Sequence, residues 1–218
     1  MSQRRFSFNL SAGSLLAAAA FVLSAATPGM AGSIGTGSFN LWQSCSTKAS
    51  ISGGTITVPE GGTECSSNFV GAQEKSSQSA TGMSFYGSFV GGSGAPNSAQ
   101  EMAVFVADNV SSWNGHEMGF LKTLNDNTTK AYIQGGGHYY YQVVQTGNAG
   151  NHTYKCQVQS GNHSAVDFYV DGAYKCTLTN SGQNYWGNQY WFVGTTHRTQ
   201  GGWSQGSDKI TMSSMTTY

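Results

Sequence analysis

Apolar and polar residues alternate with a period of two in short runs along most of the chain, and clusters of Gly, Asn, Ser and Asp separate the runs. No heptad and no sustained 3.6-residue period is visible. A period of two sends successive side chains to opposite faces of a strand, so the pattern predicts an all-β chain. Strands are expected near 39–43, 50–57, 83–90, 100–107, 116–123, 130–135, 138–145, 153–159, 165–171, 174–178, 189–196 and 208–214. Their number and spacing suit an antiparallel sandwich of two sheets. Residues 71–81, with neither an apolar face nor turn glycines, read as a loop.

The exception to alternation is the beginning. Arg4 and Arg5 precede an apolar run from Leu15 to Ala26 and a small-residue exit at Gly29-Met30-Ala31, the layout of a secretory signal peptide over residues 1–31. That run is too short to span a bilayer, and no later segment approaches the roughly 20 apolar residues a spanning helix needs. A secreted, extracellular domain over residues 32–218 is expected. Removing Arg4 and Arg5 leaves eight basic residues against ten acidic ones, a net charge near −2. No basic patch argues for nucleic acid as a partner. Charged residues make up 9% of the chain, so surface polarity must come from amides and hydroxyls, a chemistry suited to polysaccharide or glycan partners.

An exported chain keeps its cysteines under oxidising conditions. Cys45, Cys65, Cys156 and Cys176 make an even set, which favours disulfides. Three pairings fit the count, and the local one, Cys45–Cys65 with Cys156–Cys176, is expected because each pair brackets short strand-like runs. No Cys-x-x-Cys and no close His pair supports zinc.

Around Cys156 the stretch 152–172 reads as a hairpin. His152-Thr153-Tyr154 opens one strand, and Val166-Asp167-Phe168-Tyr169-Val170 returns to a tight turn at Asp171-Gly172. Val166, Phe168 and Val170 share one face, the expected core side. This pairing of His-x-Tyr with Phe-Tyr-Val-Asp-Gly resembles the concanavalin A-like lectin and glucanase superfamily, in particular its laminarinase-like hydrolases. The likeness is close over 152–172 and extends by strand order over about 100–215. It implies a jelly-roll sandwich with a concave, glycan-holding face.

In those hydrolases the catalytic strand reads Glu-x-Asp-x-x-Glu or Glu-x-Asp-x-Glu. The matching strand here, Gln-Glu-Met-Ala-Val-Phe-Val-Ala-Asp, puts Glu101 at the nucleophile position but Ala103 at the Asp position and Phe105 or Val106 at the acid/base position. Retaining hydrolysis needs two carboxyl groups roughly 5 Å apart. Glu117, on the next strand, could supply the second if the register allowed it. The plainer reading makes both edge carboxylates bonded to turn amides.

Two further sets carry neutral chemistry. His138, Tyr140 and Gln142 share one face of a strand and Tyr139 and Tyr141 the other; polysaccharide lyases on related jelly rolls use Tyr, His, Gln and Arg for proton abstraction beside a uronate. Arg198 would be the uronate ligand. Tyrosines also populate strands with no chemical role. Trp186 and Trp203 sit beside glycines, and with His197 form an expected sugar-stacking element. The superfamily resemblance also allows a structural calcium ion, for which Asp108, Asp126, Asp171 and Asp208 lie near strand ends or turns, though no loop has calcium-motif spacing. No other cofactor is expected. The leading expectation is a secreted glycan-binding or cell-surface protein; a uronate-directed polysaccharide lyase comes second, and a glycoside hydrolase using Glu101 and Glu117 third.

Overall fold

A computed structural model describes residues 31–43, 49–59, 69–91, 101–108, 115–123, 127–147, 150–196 and 209–218. The alternating runs form strands: β1 (Gly32–Ile34), β2 (Phe39–Gln43), β3 (Ser50–Ser52), β4 (Thr55–Pro59), β5 (Phe69–Glu74), β6 (Gln78–Ala80), β7 (Gly82–Val90) and β8 (Glu101–Ala107). They continue with β9 (Glu117–Thr123), β10 (Thr128–Gly135), β11 (His138–Thr146), β12 (His152–Gln159), β13 (Asn162–Val170), β14 (Ala173–Thr179), β15 (Gly187–Thr196) and β16 (Lys209–Thr217). Among the described residues these form two antiparallel sheets of eight strands each. The first runs β14-β13-β12-β7-β16-β4-β3 with β1 beside β16, and the second runs β11-β10-β9-β8-β15-β5-β2 with β6 beside β15.

The inward faces of the two sheets enclose the main core. Phe85 and Tyr154 from the first sheet meet Phe120 from the second, and Phe89 packs against both Phe85 and Tyr154, with ring centroids 5.1–6.2 Å apart. Burying such rings supplies much of the apolar driving force, and their edge-to-face and stacked geometries add to it. The Tyr154 hydroxyl donates to Gln145 Oε1 at 2.8 Å, so its burial leaves no orphaned donor.

The hairpin carrying the family resemblance is a pinned turn. Asp171 (φ 51°) and Gly172 (φ 75°) both adopt left-handed backbone, as a two-residue hairpin turn requires. The Asp171 carboxylate accepts from the Thr153 N–H at 2.9 Å and bonds His152 Nδ1 at 2.5 Å, tying the turn to the start of β12.

Two expectations fail. Residues 71–81 are not a loop: Gly71–Glu74 belong to β5 and Gln78–Ala80 to β6, both paired with β15. Ala72 is too small to signal an apolar face, yet it is fully buried in the core beside Val70. Strand β15 changes partner from β5 to β6 between Phe192 and Gln189, and Glu74 fills the gap, its carboxylate accepting from the Trp191 N–H at 3.3 Å and from the Gln78 amide. Burial raises the Glu74 pKa against the lowering effect of these bonds.

Cys156 and Cys176 are not bonded; both are free, buried thiols. Phe168 lies between them in register, opposite Cys156 on one side and Cys176 on the other. Two strand spacings put the cysteines about 10 Å apart, beyond the roughly 7 Å that a disulfide tolerates. Desolvation pushes the Cys156 thiol up to about 12 and the Cys176 thiol to about 11, so both stay protonated. Cys45 and Cys65 lie outside the described residues. Among the described residues, no helix is long and apolar enough to cross a membrane.

Candidate functional site

The second sheet turns one face to the core and the other outward. Met102, Val104 and Val106 of β8 point inward with Met118 and Phe120 of β9. The alternate residues form the outer face, and register aligns them in rows across the strands. One row reads Tyr190, Ala107, Glu117, Gln134, Tyr139; the next reads Phe192, Phe105, Gly119, Tyr132, Tyr141; a third reads Gly194, Ala103, Leu121, Lys130, Val143.

The middle row is aromatic. Phe192 and Phe105 stack at 5.0 Å with planes 9° apart, and Phe105 meets Tyr132 at 6.3 Å, edge to face. Gly119 makes this closeness attainable, because a Cβ there would lie 2.3 Å from the Val104 carbonyl oxygen and 2.6 Å from Phe105 Cβ. Phe105, Tyr132 and Phe192 are at most 5% exposed, and with Ala107 and Leu121 they form a second apolar cluster. At the sheet's edge this row ends in Tyr141, 54% exposed, beside Tyr139 of the neighbouring row, 42% exposed. Their rings lie 5.6 Å apart, Tyr139 is 5.7 Å from Tyr132, and the Lys130 ammonium sits 4.9 Å from the Tyr141 centroid. The result is an open aromatic platform with a cation on one flank and the Gln134 amide on the other.

Strand register sets the backbone positions of Glu101 and Glu117 far apart. Glu101 stands opposite Thr123 and Glu117 opposite Ala107, six residues apart along the hairpin. At the strand rise this separates the two backbone positions by about 20 Å, far beyond the 5–10 Å or so over which two carboxyl groups cooperate in glycoside hydrolysis. Glu117 is buried and accepts from the Tyr132 hydroxyl at 3.4 Å. Between the two positions the outer face of β8 carries Ala103, Phe105 and Ala107.

His138, Tyr140 and Gln142 do share a face, but it is the opposite one. They pair with Gly135, Ile133 and Ala131, whose side is the sandwich interior, and they emerge at its lateral opening because β11 is the edge strand. The lyase set and the Tyr139–Tyr141 platform therefore do not line one cleft. Trp186 is half-buried against the core, its ring 4.5 Å from that of His163. His197, Arg198 and Trp203 lie outside the described residues.

The described aspartates are committed elsewhere. Asp108 binds His116 Nδ1 at 2.7 Å, and His116 Nε2 contacts Gln183 Oε1 at 2.8 Å. With Asp171 held by His152, and with no group of three or more potential metal-ligating side chains among the described residues, the residues there do not fit a calcium ion. Asp126 and Asp208 lie outside them.

No protein-family model matches the chain, and no curated protein does. Solved structures match well in shape. A Bacillus licheniformis β-glucanase superposes with a TM-score of 0.59 at 12% identity, covering 84% of this chain and 92% of that one. A lichenase from a mouse hindgut metagenome gives 0.59 at 11% identity, over 86% of this chain and 98% of that one. A Crh5 transglycosylase gives 0.58 at 13%, over 85% and 82%. The chain has the concanavalin A-like jelly-roll fold. At such identities the likeness speaks for the concanavalin A-like backbone, and the side chains must speak for the chemistry.

Sequence reasoning saw Tyr139 and Tyr141 only as the far side of the His138–Tyr140 strand. The run of three tyrosines was the available signal, since alternation guarantees that both faces carry one. Lys130 and Tyr132 gave no such signal, because nothing in Thr-Thr-Lys-Ala-Tyr-Ile-Gln says which face will be the outer one.

Proposed function

We propose that this domain binds a glycan on the outer face of its second sheet and does not cleave it. One observation carries the reading: the face offers an exposed aromatic platform at Tyr139 and Tyr141, while the backbone positions of Glu101 and Glu117, the pair that hydrolysis would need, lie about 20 Å apart along the hairpin. Flat tyrosine rings stack on the apolar faces of pyranoses. The glucanase and transglycosylase names of the structural neighbours support a polysaccharide as the ligand class. The export pattern of residues 1–31 adds that binding takes place outside the cell.

Titration of the full chain against a glycan panel tests this. Tyr141→Ala should weaken the bound glycan by about 1–3 kcal/mol, tenfold or more, with little change in melting temperature, because the ring is exposed. No reducing ends should be released, and no ultraviolet absorbance of unsaturated uronates should develop. Reducing ends would establish hydrolysis and that absorbance a lyase reaction; either would overturn the reading, as would binding that Tyr141→Ala leaves intact.

A further inference from the structure

The outward face of the first sheet holds a feature that the glycan platform does not use. Lys155 of β12 lies between two aromatic rings, its ammonium 4.4 Å from the Tyr218 centroid and 5.8 Å from that of Tyr169. Both distances are within the range of cation–π attraction. Ring faces attract the ammonium without cancelling its charge. The neighbouring acids could have cancelled it, yet both are engaged. Asp167 accepts from the Gln159 amide at 2.9 Å and from the Thr177 hydroxyl at 2.5 Å, and Asp171 is held by His152 and the Thr153 N–H. Lys155 has no ion pair with a described carboxylate. It lines an open depression of about 340 Å³ together with Ser84, Thr153, Tyr169, Gly172 and Tyr218. That volume is at the lower end for small-molecule sites and suits one or two sugar units.

Among the described residues this lining contains no acid, one fixed cation, and hydroxyls from Ser84, Thr153 and both tyrosines. An ammonium has three N–H donors, and two ring faces leave at least one for a ligand. A second hollow of about 360 Å³ adjoins it: Tyr86 lines the second hollow, Thr153 lines the first, and the two residues pair in register. Its described lining is again free of acids and includes Lys209.

We propose that this face is a second glycan-binding site, separate from the Tyr139–Tyr141 platform, at which Lys155 receives an anionic substituent of a polysaccharide. The ligand chemistry is a carboxylate or sulfate group on a sugar, bonded by the ammonium, with the ring stacked against Tyr169 or Tyr218. The site shares with the preceding reading only the premise that the ligand is a glycan.

Calorimetric titration of the full chain with an oligouronate, a sulfated galacto-oligosaccharide and a neutral β-glucan oligosaccharide tests it. At least one anionic probe should bind, more weakly as salt is raised. Lys155→Gln should lower that affinity about tenfold or more, since a charge-assisted bond is lost, while Lys155→Arg retains it. Lys155→Gln should leave neutral-glycan affinity and melting temperature unchanged. Binding of the oligouronate alone identifies the carboxylate, of the sulfated probe alone the sulfate, and of both a site that reads charge. No binding of either anionic probe, or anionic binding indifferent to Lys155→Gln, overturns the proposal. Absence of neutral-glycan binding in the unaltered chain would count against the platform instead, and does not bear on the Lys155 comparison.

Discussion

His116 shows how a single side chain can set a pH limit on this fold. Burial, the largest influence on it, lowers its pKa, but the bonds to Asp108 and Gln183 together outweigh that and leave it raised. Both ring nitrogens face oxygen acceptors, an arrangement that only the protonated ring satisfies on both sides. The protonated form is thus the one the folded state favours. Its stabilising contribution is fully present below the unfolded pKa of about 6.5 and is lost as pH rises through the higher folded value. Urea midpoints measured from slightly acid to alkaline pH should fall across that window, and His116→Gln should flatten the fall. A slope unchanged by the substitution would show that His116 does not cause it. Asp171 works in the other direction: His152 and the Thr153 N–H lower its pKa, so its contribution persists above the unfolded value and disappears in acid.

At the scale of strands, the close approach of β8 and β9 depends on a residue without a side chain. A Cβ at Gly119 would fall 2.3 Å from a backbone oxygen, which cannot rotate away. Gly119→Ala should therefore destabilise the domain by about 1–3 kcal/mol through forced strand displacement, read as a lower urea midpoint; an unchanged midpoint would mean that the hairpin opens freely. Strands β8 and β9 were legible as short, largely apolar runs bounded by turn residues. The failure at β5 and β6 has the opposite cause. Their deeply buried apolar residues, Val70, Ala72 and Ala80, include two small alanines, and the polar Glu74 and Gln78 are used to bridge a partner change in β15 that no local pattern announces.

For the whole molecule, the sandwich could be expected from strand count and from the His-x-Tyr and Tyr-Val-Asp-Gly hairpin, whose pinned turn gives those residues a structural reason to occur together. The candidate site was only partly legible. The lack of an acid at Ala103 was visible in the sequence. That Glu101 and Glu117 could not compensate depended on register, which is set by pairing across the hairpin and not by either strand alone. The platform rows likewise exist only after five strands align, and residues from positions as distant as Phe105 and Phe192 become neighbours. Lys155 gave no signal at all, because its isolation follows from how Asp167 and Asp171 are occupied.

The placement of Phe168 between Cys156 and Cys176 also makes the order of events during folding matter. In the completed sandwich an intervening strand keeps the thiols apart. In the unfolded chain they are separated by about 20 residues and are free to meet, and a bond closing such a loop restricts the chain by roughly 3 kcal/mol of entropy. That bond would hold β12 and β14 too close for β13 to enter between them. Oxidation before β13 inserts is therefore a trap, and oxidation afterwards is blocked by burial. Refolding under reducing conditions should return native protein in which Cys156 and Cys176 are both recovered as alkylated thiols, alongside Cys45 and Cys65, on subsequent denaturation. Refolding with an oxidant present from the start should divert part of the chain into a crosslinked species, in proportion to the oxidant, and Cys176→Ala should abolish that species. Equal native yields under both conditions would show that β13 docks faster than the thiols can find each other.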